Sequence, residues 1–284
     1  MESLFKTLEI LQKVLIPVSQ ECALYESEQI LQYIVKCSRS DLYLHGTRLL
    51  SNEENIRIRT IVEKRLSNEP LAYILGSVFF YSMEISVNRD VLIPRQETEI
   101  LVDTVLKNES SEHCSFVDLG TGSGAIAAVL CNERPKWRGF GTDVSLPALK
   151  TAQQNCPSKK INLLCCNMIS SIKISNLGKN GFAFIVCNPP YVSASEMQEL
   201  DPGVSKYEPH VALLGGNDGM EYYRILAAEG KKILKQGASI YCEIGYNQGE
   251  KVEKIFSEAL WKNINIIKDL ANRSRVVVAS CNDL

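Results

Sequence analysis

The chain has 284 residues, 45% hydrophobic and 23% charged, with a formal net charge of −2. That leaves room for one large globular domain and a small one, and offers no electrostatic footprint for sequence-independent binding to nucleic acid. No apolar stretch reaches the ~20 residues of a membrane span, and Met1-Glu-Ser-Leu-Phe-Lys6 lacks the layout of a secretory signal. A cytoplasmic chain without membrane contact is expected. Ten cysteines are scattered without a CxxC pair and accompany only three histidines. The expectation is therefore reduced thiols and no metal site.

Residues 1–70 read as a small helical domain. Leu4, Leu8, Leu11 and Leu15 recur at helical spacing up to Pro17. Ser27 is the expected cap of a second helix carrying Ile30, Leu31, Ile34 and Val35. Ser51 with Glu54 matches a capping box ahead of the stripe Ile58, Ile61, Val62 and Leu66. Nothing here resembles a catalytic cluster, so the domain is expected to pack or to dock a partner. Residues 71–95 change to a β pattern: Val78 to Tyr81, Met83 to Val87, a polar turn at Asn88 to Asp90, then Val91 to Pro94. This reads as a hairpin linker. Pro94 to Glu99 then opens a helix, with its carboxylates in the first turn where the helix dipole favours them.

Residues 96–284 alternate strands and helices. Strands are expected at 116–119, 138–143, 161–165, 182–187, 239–244, 263–268 and 275–279. Helices are expected at 125–131, 147–154, 220–234 and 250–260. This order implies an α/β domain with a mostly parallel seven-stranded sheet, and the last two strands, with no helix between them, place one antiparallel strand in it.

Two features carry chemistry. Gly120-Thr121-Gly122-Ser123-Gly124 follows a strand and opens a helix, where glycines permit a tight turn and close approach of a ligand. Asp143 ends the next strand, placed to accept both hydroxyls of a ribose over the loop. Alone, this pair also fits a dinucleotide fingerprint, and a nicotinamide dehydrogenase stays open. The second feature is Asn188-Pro189-Pro190-Tyr191. Two prolines end an apolar strand and make a stiff corner that offers hydrogen-bond acceptors and a stacking face to a planar NH2 group. Ligands of open α/β sheets bind outside the carboxyl ends of the strands, so the corner would face a cofactor on the glycine loop. None of His45, His113 and His210 lies at a strand end beside that loop, which disfavours hydride transfer. The corner still leaves nucleobases in play as targets.

With these motifs the chain resembles the class I S-adenosylmethionine-dependent methyltransferases, which have a Rossmann-like fold. More specifically it resembles the PrmC/HemK family, the release factor N5-glutamine methyltransferases. The resemblance rests on Pro70-Leu-Ala-Tyr-Ile-Leu-Gly76, Leu92-Ile-Pro-Arg-Gln-Glu-Thr-Glu99, Asp118 to Ala127, Asn188 to Tyr191, Tyr207-Glu-Pro209, Gly215 to Gly219, Glu243-Ile-Gly245 and Arg275 to Ala279. It implies methyl transfer from S-adenosyl-L-methionine, leaving S-adenosyl-L-homocysteine, to the glutamine of the Gly-Gly-Gln motif in class I peptide chain release factors. It also implies that Gly120 to Gly124 line the methionine and ribose part of the cofactor and that Asp143 binds the ribose. Asn167 takes the place of a frequent acid at the adenine amino group, and Met168 that of a residue which is sometimes aromatic. Asn188, Pro189, Pro190 and Tyr191 are the expected substrate site, with Asn188, Pro189 and Tyr191 catalytic and Asn188 also expected to touch the cofactor. A monomer that does not contact nucleic acid directly is expected. The alternative is an amino-methyltransferase acting on nucleic acid or on another protein's glutamine.

Overall fold

The computed structural model describes residues 2–156, 160–170, 172 and 181–281. The chain divides into two units, Met1–Ser77 with Asp201–Tyr207, and Val78–Leu200 with Glu208–Leu284. In the first unit α1 (Leu4–Ser19), α2 (Ala23–Val35), α3 (Arg39–Leu44), α4 (Asn52–Leu66) and α5 (Leu71–Leu75) follow in order. The leucine stripe of α1 is buried together with Ile30, Leu31 and Ile34 of α2 and Ile58 and Ile61 of α4. Apolar residues recurring at helical spacing have thus found each other. The capping box at α4 forms in both directions: Glu54 N donates to Ser51 Oγ at 3.1 Å and Ser51 N to Glu54 Oε2 at 2.8 Å. Arg65 joins α4 to α2 through Glu26, Nε to Oε2 at 2.8 Å, with both side chains largely buried.

The structure departs from the local sequence pattern at several places. Ser27 is not a cap but a buried residue inside α2, donating to Ala23 O at 2.6 Å. Residues 71–75, read as β, form α5, which ends on Gly76 at φ +85°. The two-stranded sheet consists of β1 (Ser77–Phe80) and β2 (Met83–Ser86) alone. It turns at Tyr81 and Ser82, both at positive φ (50° and 62°) as a tight two-residue hairpin turn needs. Val91 to Pro94 is not a strand, because the Ile93 N–H donates to Glu208 Oε2 at 3.3 Å and not to a ladder. The next helix, α6 (Thr98–Asn108), starts at Thr98. Glu99 sits in its first turn, as expected, and also accepts the Tyr81 N–H at 2.8 Å, which holds the hairpin turn.

The second unit is built on β3 (Ser115–Leu119), α7 (Ala125–Glu133), β4 (Arg138–Asp143), α8 (Leu146–Asn155), β5 (Ile161–Cys165) and β6 (Phe182–Cys187). After the short α9 (Pro202–Tyr207) of the first unit come α10 (Glu221–Glu229), β7 (Leu234–Glu243), α11 (Gly249–Glu258), β8 (Lys262–Lys268) and β9 (Ser274–Ser280). The helix expected to reach Leu234 ends at Glu229, continues as a 3-10 turn to Ile233, and passes directly into β7.

The seven-stranded sheet has the order β5-β4-β3-β6-β7-β9-β8. All its pairs are parallel except those of β9, which is antiparallel to β7 and β8, as expected. Strands covered on both faces read as continuous apolar runs, and Phe184-Ile185-Val186-Cys187 is wholly buried. Phe184 stacks on Phe116 across β3 and β6 with ring centroids 5.0 Å apart. Trp137 and Tyr241 meet Phe184 edge-on from either side. All ten cysteines are free thiols. Among the described residues, no helix is long and apolar enough to cross a membrane.

Candidate active site

The strand order fixes where a ligand can sit. From β3 the chain moves outward through β4 and β5, then crosses back to β6 on the other side of β3. Beyond the carboxyl ends of β3 and β6 the crossover connections leave on opposite faces and open a crevice. One cavity there is lined by Gly120, Thr121, Gly122, Ser123, Asp143, Asn167, Met168, Asn188 and Pro190. Leu92, Pro94, Thr98, Pro209, Ala212 and Tyr222 are also part of its wall.

On the loop after β3, Gly120 and Gly122 have φ of +70° and +54°, and a Cβ added at either would meet nothing within 4 Å. The bare backbone faces open space, a cradle that suits close approach of a nucleoside-bearing ligand. Gly124 differs. Its φ is +78°, and an added Cβ would lie 2.6 Å from Cys156 Sγ and 3.1 Å from Ala152 Cβ. That glycine, grouped with the cofactor loop from the sequence, does not line the cavity and is needed for packing of α7 on α8. Thr121 is held from behind by its Oγ1 donating to Asp118 Oδ2 at 2.7 Å. Burial pushes the Asp118 carboxyl up to about 7, against the opposing pull of that hydrogen bond.

Asp143 closes β4 and lines the cavity. Its Oδ2 accepts the Gly122 N–H and its Oδ1 the Ser145 N–H, both at 2.9 Å. One carboxylate thus joins the glycine loop to the start of α8. Burial raises it above the ordinary aspartate range, opposed by the backbone N–H groups of Ser145, Gly122 and Val144. Asn167 is exposed at the rim, and Met168, at φ +48°, is buried beside it.

At the corner the prolines end β6 at Cys187, as the sequence required. Asn188 and Pro190 line the cavity, whereas Pro189 and Tyr191 do not. Asn188 Nδ2 donates to Thr98 Oγ1 at 3.3 Å, and Thr98 Oγ1 donates to Glu243 Oε2 at 2.6 Å. Tyr191 Oη reaches Glu243 Oε1 at 3.4 Å. Gln248 clamps the corner's backbone: its Nε2 donates to Tyr191 O at 2.8 Å while its Oε1 accepts the Gly245 N–H at 3.0 Å. Burial pushes Glu243 up to about 7, against hydrogen bonds from Thr98 and Tyr191. The Tyr191 phenol is raised by burial and then by the nearby Glu243.

Opposite the corner, Arg95 forms an ion pair with Glu208, whose side chain is almost wholly buried. With the Ile93 bond to the same carboxylate, it ties the Leu92–Pro94 wall to the Pro209–Ala212 wall. Thr98, Glu243, Asp118, Arg95 and Glu208 received no role from the sequence. A usable signal was present for two of them: Asp118 and Glu243, like Asp143, are lone carboxylates near the carboxyl ends of apolar strands.

Residues 15–76 match the family described as PrmC N-terminal domain, and residues 96–200 the family described as methyltransferase small domain. The chain is 36% identical over 259 residues to a release factor glutamine methyltransferase of Thermodesulfovibrio yellowstonii, spanning 89% of this chain and 91% of that protein. A release factor glutamine methyltransferase of Coxiella burnetii is 37% identical over 257 residues, spanning 89% and 90%. Among solved structures, the hMettl16 catalytic domain in complex with a MAT2A 3′UTR hairpin has a TM-score of 0.58 at 14% identity. That likeness covers 84% of this chain and 85% of the other, and it is one of fold alone.

Proposed function

The chain belongs to the release factor glutamine methyltransferase family, and on that premise we propose that it methylates the side-chain amide nitrogen (N5) of the glutamine in the Gly-Gly-Gln motif of class I release factors. The observation that carries the reading is that Gly120, Gly122, Asp143 and Asn188 line one cavity. Bound S-adenosyl-L-methionine supplies a sulfonium methyl group and leaves as neutral S-adenosyl-L-homocysteine.

The residues present fit that donor. Gly120 to Ser123 receive its methionine and ribose part on bare backbone, and Asp143 accepts from the ribose hydroxyls. The Asn167 side-chain oxygen accepts from the adenine amino group, and Met168 packs on the base, with less geometric preference than an aromatic ring.

A glutamine amide is a poor nucleophile because its nitrogen lone pair is delocalised into the carbonyl. Asn188 Oδ1, on the cavity wall, accepts one of its N–H bonds, and the Pro189 carbonyl the other, while Pro190 stiffens the corner and Tyr191 helps cover the amide plane; neither Pro189 nor Tyr191 lines the cofactor cavity itself. These acceptors draw positive charge onto their side as it develops on nitrogen, and they hold the lone pair in line with the methyl carbon. The bound donor would supply the methyl group that the amide nitrogen takes, sulfur keeping the electron pair of the broken bond, and the surplus proton would pass from nitrogen to water. Closing the cavity strengthens each polar contact. Residues 1–70 and the 71–95 linker hold the body of the release factor, and residues 96–284 carry methyl transfer. On this reading the chain works as a monomer in the cytoplasm.

Asn188→Ala is the direct test. Turnover should fall about 10²-fold or more, as on loss of one preorganised polar group, with the affinity for S-adenosyl-L-methionine unchanged. Near-normal turnover would remove the corner from the chemistry.

A further inference from the structure

We infer that Thr98 and Glu243 are positioning residues that fix which way the Asn188 amide faces. The inference rests on Asn188 being the acceptor for the substrate amide.

An asparagine side chain presents an oxygen or an NH2 group to the same space by a half-turn, and nothing in its shape selects between them. At this corner the selection is made two bonds away. An ionised Glu243 can only accept, so the Thr98 hydroxyl, 2.6 Å from Oε2, must donate its proton there. The Thr98 oxygen is then left with acceptor capacity alone. Asn188, 3.3 Å away, can satisfy it only with Nδ2. The amide oxygen is thereby turned from Thr98 and kept available to a substrate N–H.

Among the described residues none donates to Asn188 Oδ1, so the acceptor is uncommitted. Thr98 and Glu243 are each 3% exposed, so the bond between them is shielded from water. Glu243 is itself held in place. Its Oε1 is 3.4 Å from Tyr191 Oη, and its main-chain oxygen accepts from Tyr223 Oη at 2.9 Å. The charged side chains facing it are Glu97 and Arg275, of opposite sign. The chain of bonds joins α6, the corner after β6 and the end of β7, elements 145 positions apart in sequence at the Thr98–Glu243 bond.

The test compares Thr98→Val, which keeps the shape and removes the hydroxyl, with Thr98→Ser, which restores it. Both are assayed at about pH 8, where a carboxyl raised to about 7 is ionised. The readouts are kcat, KM for a release factor, S-adenosyl-L-homocysteine affinity and thermal midpoint. Thr98→Val should lose about 10-fold or more in kcat, with cofactor affinity and thermal midpoint near wild type, and Thr98→Ser should recover to within about threefold.

Three results would overturn the inference. Thr98→Val could keep its kcat, its cofactor affinity could fall in step with kcat, or Thr98→Ser could lose as much as Thr98→Val. Asn188→Ala, run beside them, separates the two levels. If it is inactive while Thr98→Val is not, only the positioning role fails; if it is fully active, the reading of the corner fails and the inference with it.

Discussion

Removing the Asp143 carboxylate tests the cofactor half of the site. A carboxylate has about four lone-pair positions. Here the Gly122 N–H takes one position on Oδ2 and the Ser145 N–H one on Oδ1, each at 2.9 Å, with the Val144 N–H also facing the carboxylate; a bond to one ribose hydroxyl from each oxygen is the most the site can add. Each charge-assisted bond contributes roughly 1.5–3 kcal/mol. Asp143 is only partly buried, so the low end applies and Asp143→Ala should cost about 3 kcal/mol of binding. At ~1.4 kcal/mol per tenfold, that is a dissociation constant raised about 10²-fold. Titration calorimetry with S-adenosyl-L-homocysteine measures it, and a melting curve shows that the variant is folded. Asp143→Asn keeps one acceptor oxygen and should lie between the two. A folded Asp143→Ala protein binding within about threefold of wild type would refute the ribose assignment.

Gly124→Val should destabilise by roughly 2–4 kcal/mol in urea unfolding, combining left-handed strain with overpacking against Cys156. Gly122→Ala, whose Cβ enters open space, should cost only about 1 kcal/mol of stability while weakening cofactor binding in calorimetry. Arg95→Ala leaves the buried Glu208 carboxylate unpaired; with the arginine side chain 34% exposed, we expect about 3 kcal/mol, the low end for breaking such a pair, read from the urea midpoint. Glu243 and Asp118 are both raised by burial to about 7, from 4.5 and 3.8. The folded state therefore holds protons that the unfolded chain releases, and their contribution is complete below the ordinary values and lost as pH rises through about 7. Urea-unfolding free energy should fall between about pH 4 and 7, and Glu243→Gln should flatten that fall; a rise would contradict the burial account.

Much of this was legible in the sequence because its causes are local. Phe184 to Cys187 is apolar because the strand is covered on both faces, and Pro189 and Pro190 stop it. Gly120 and Gly122 mark positive φ, and Ser51 with Glu54 makes its own cap. The mostly parallel sheet with its one antiparallel strand followed from alternation plus a final pair of strands without a helix between them.

What was missed depends on distant partners. Leu71 to Leu75 is as apolar as a strand, and only Gly76 at φ +85° marks it as a closed helix. Val91 to Pro94 looks like a strand, but Ile93 bonds to a carboxylate 115 positions away. Pro202–Tyr207 joins the helical unit, where Tyr207 Oη donates to Ser67 O at 3.0 Å, and no local pattern announces that. The Asn188–Thr98–Glu243 chain is of the same kind: each residue is unremarkable in its own segment, and only the sheet brings them together.

The most direct measurement is transfer of a labelled methyl group from S-adenosyl-L-methionine to a purified class I release factor, with and without Gln→Ala in its Gly-Gly-Gln motif. Label is expected in the wild-type factor at that glutamine, and none in the variant. Label that persists in the variant, or that appears only on RNA, would contradict it.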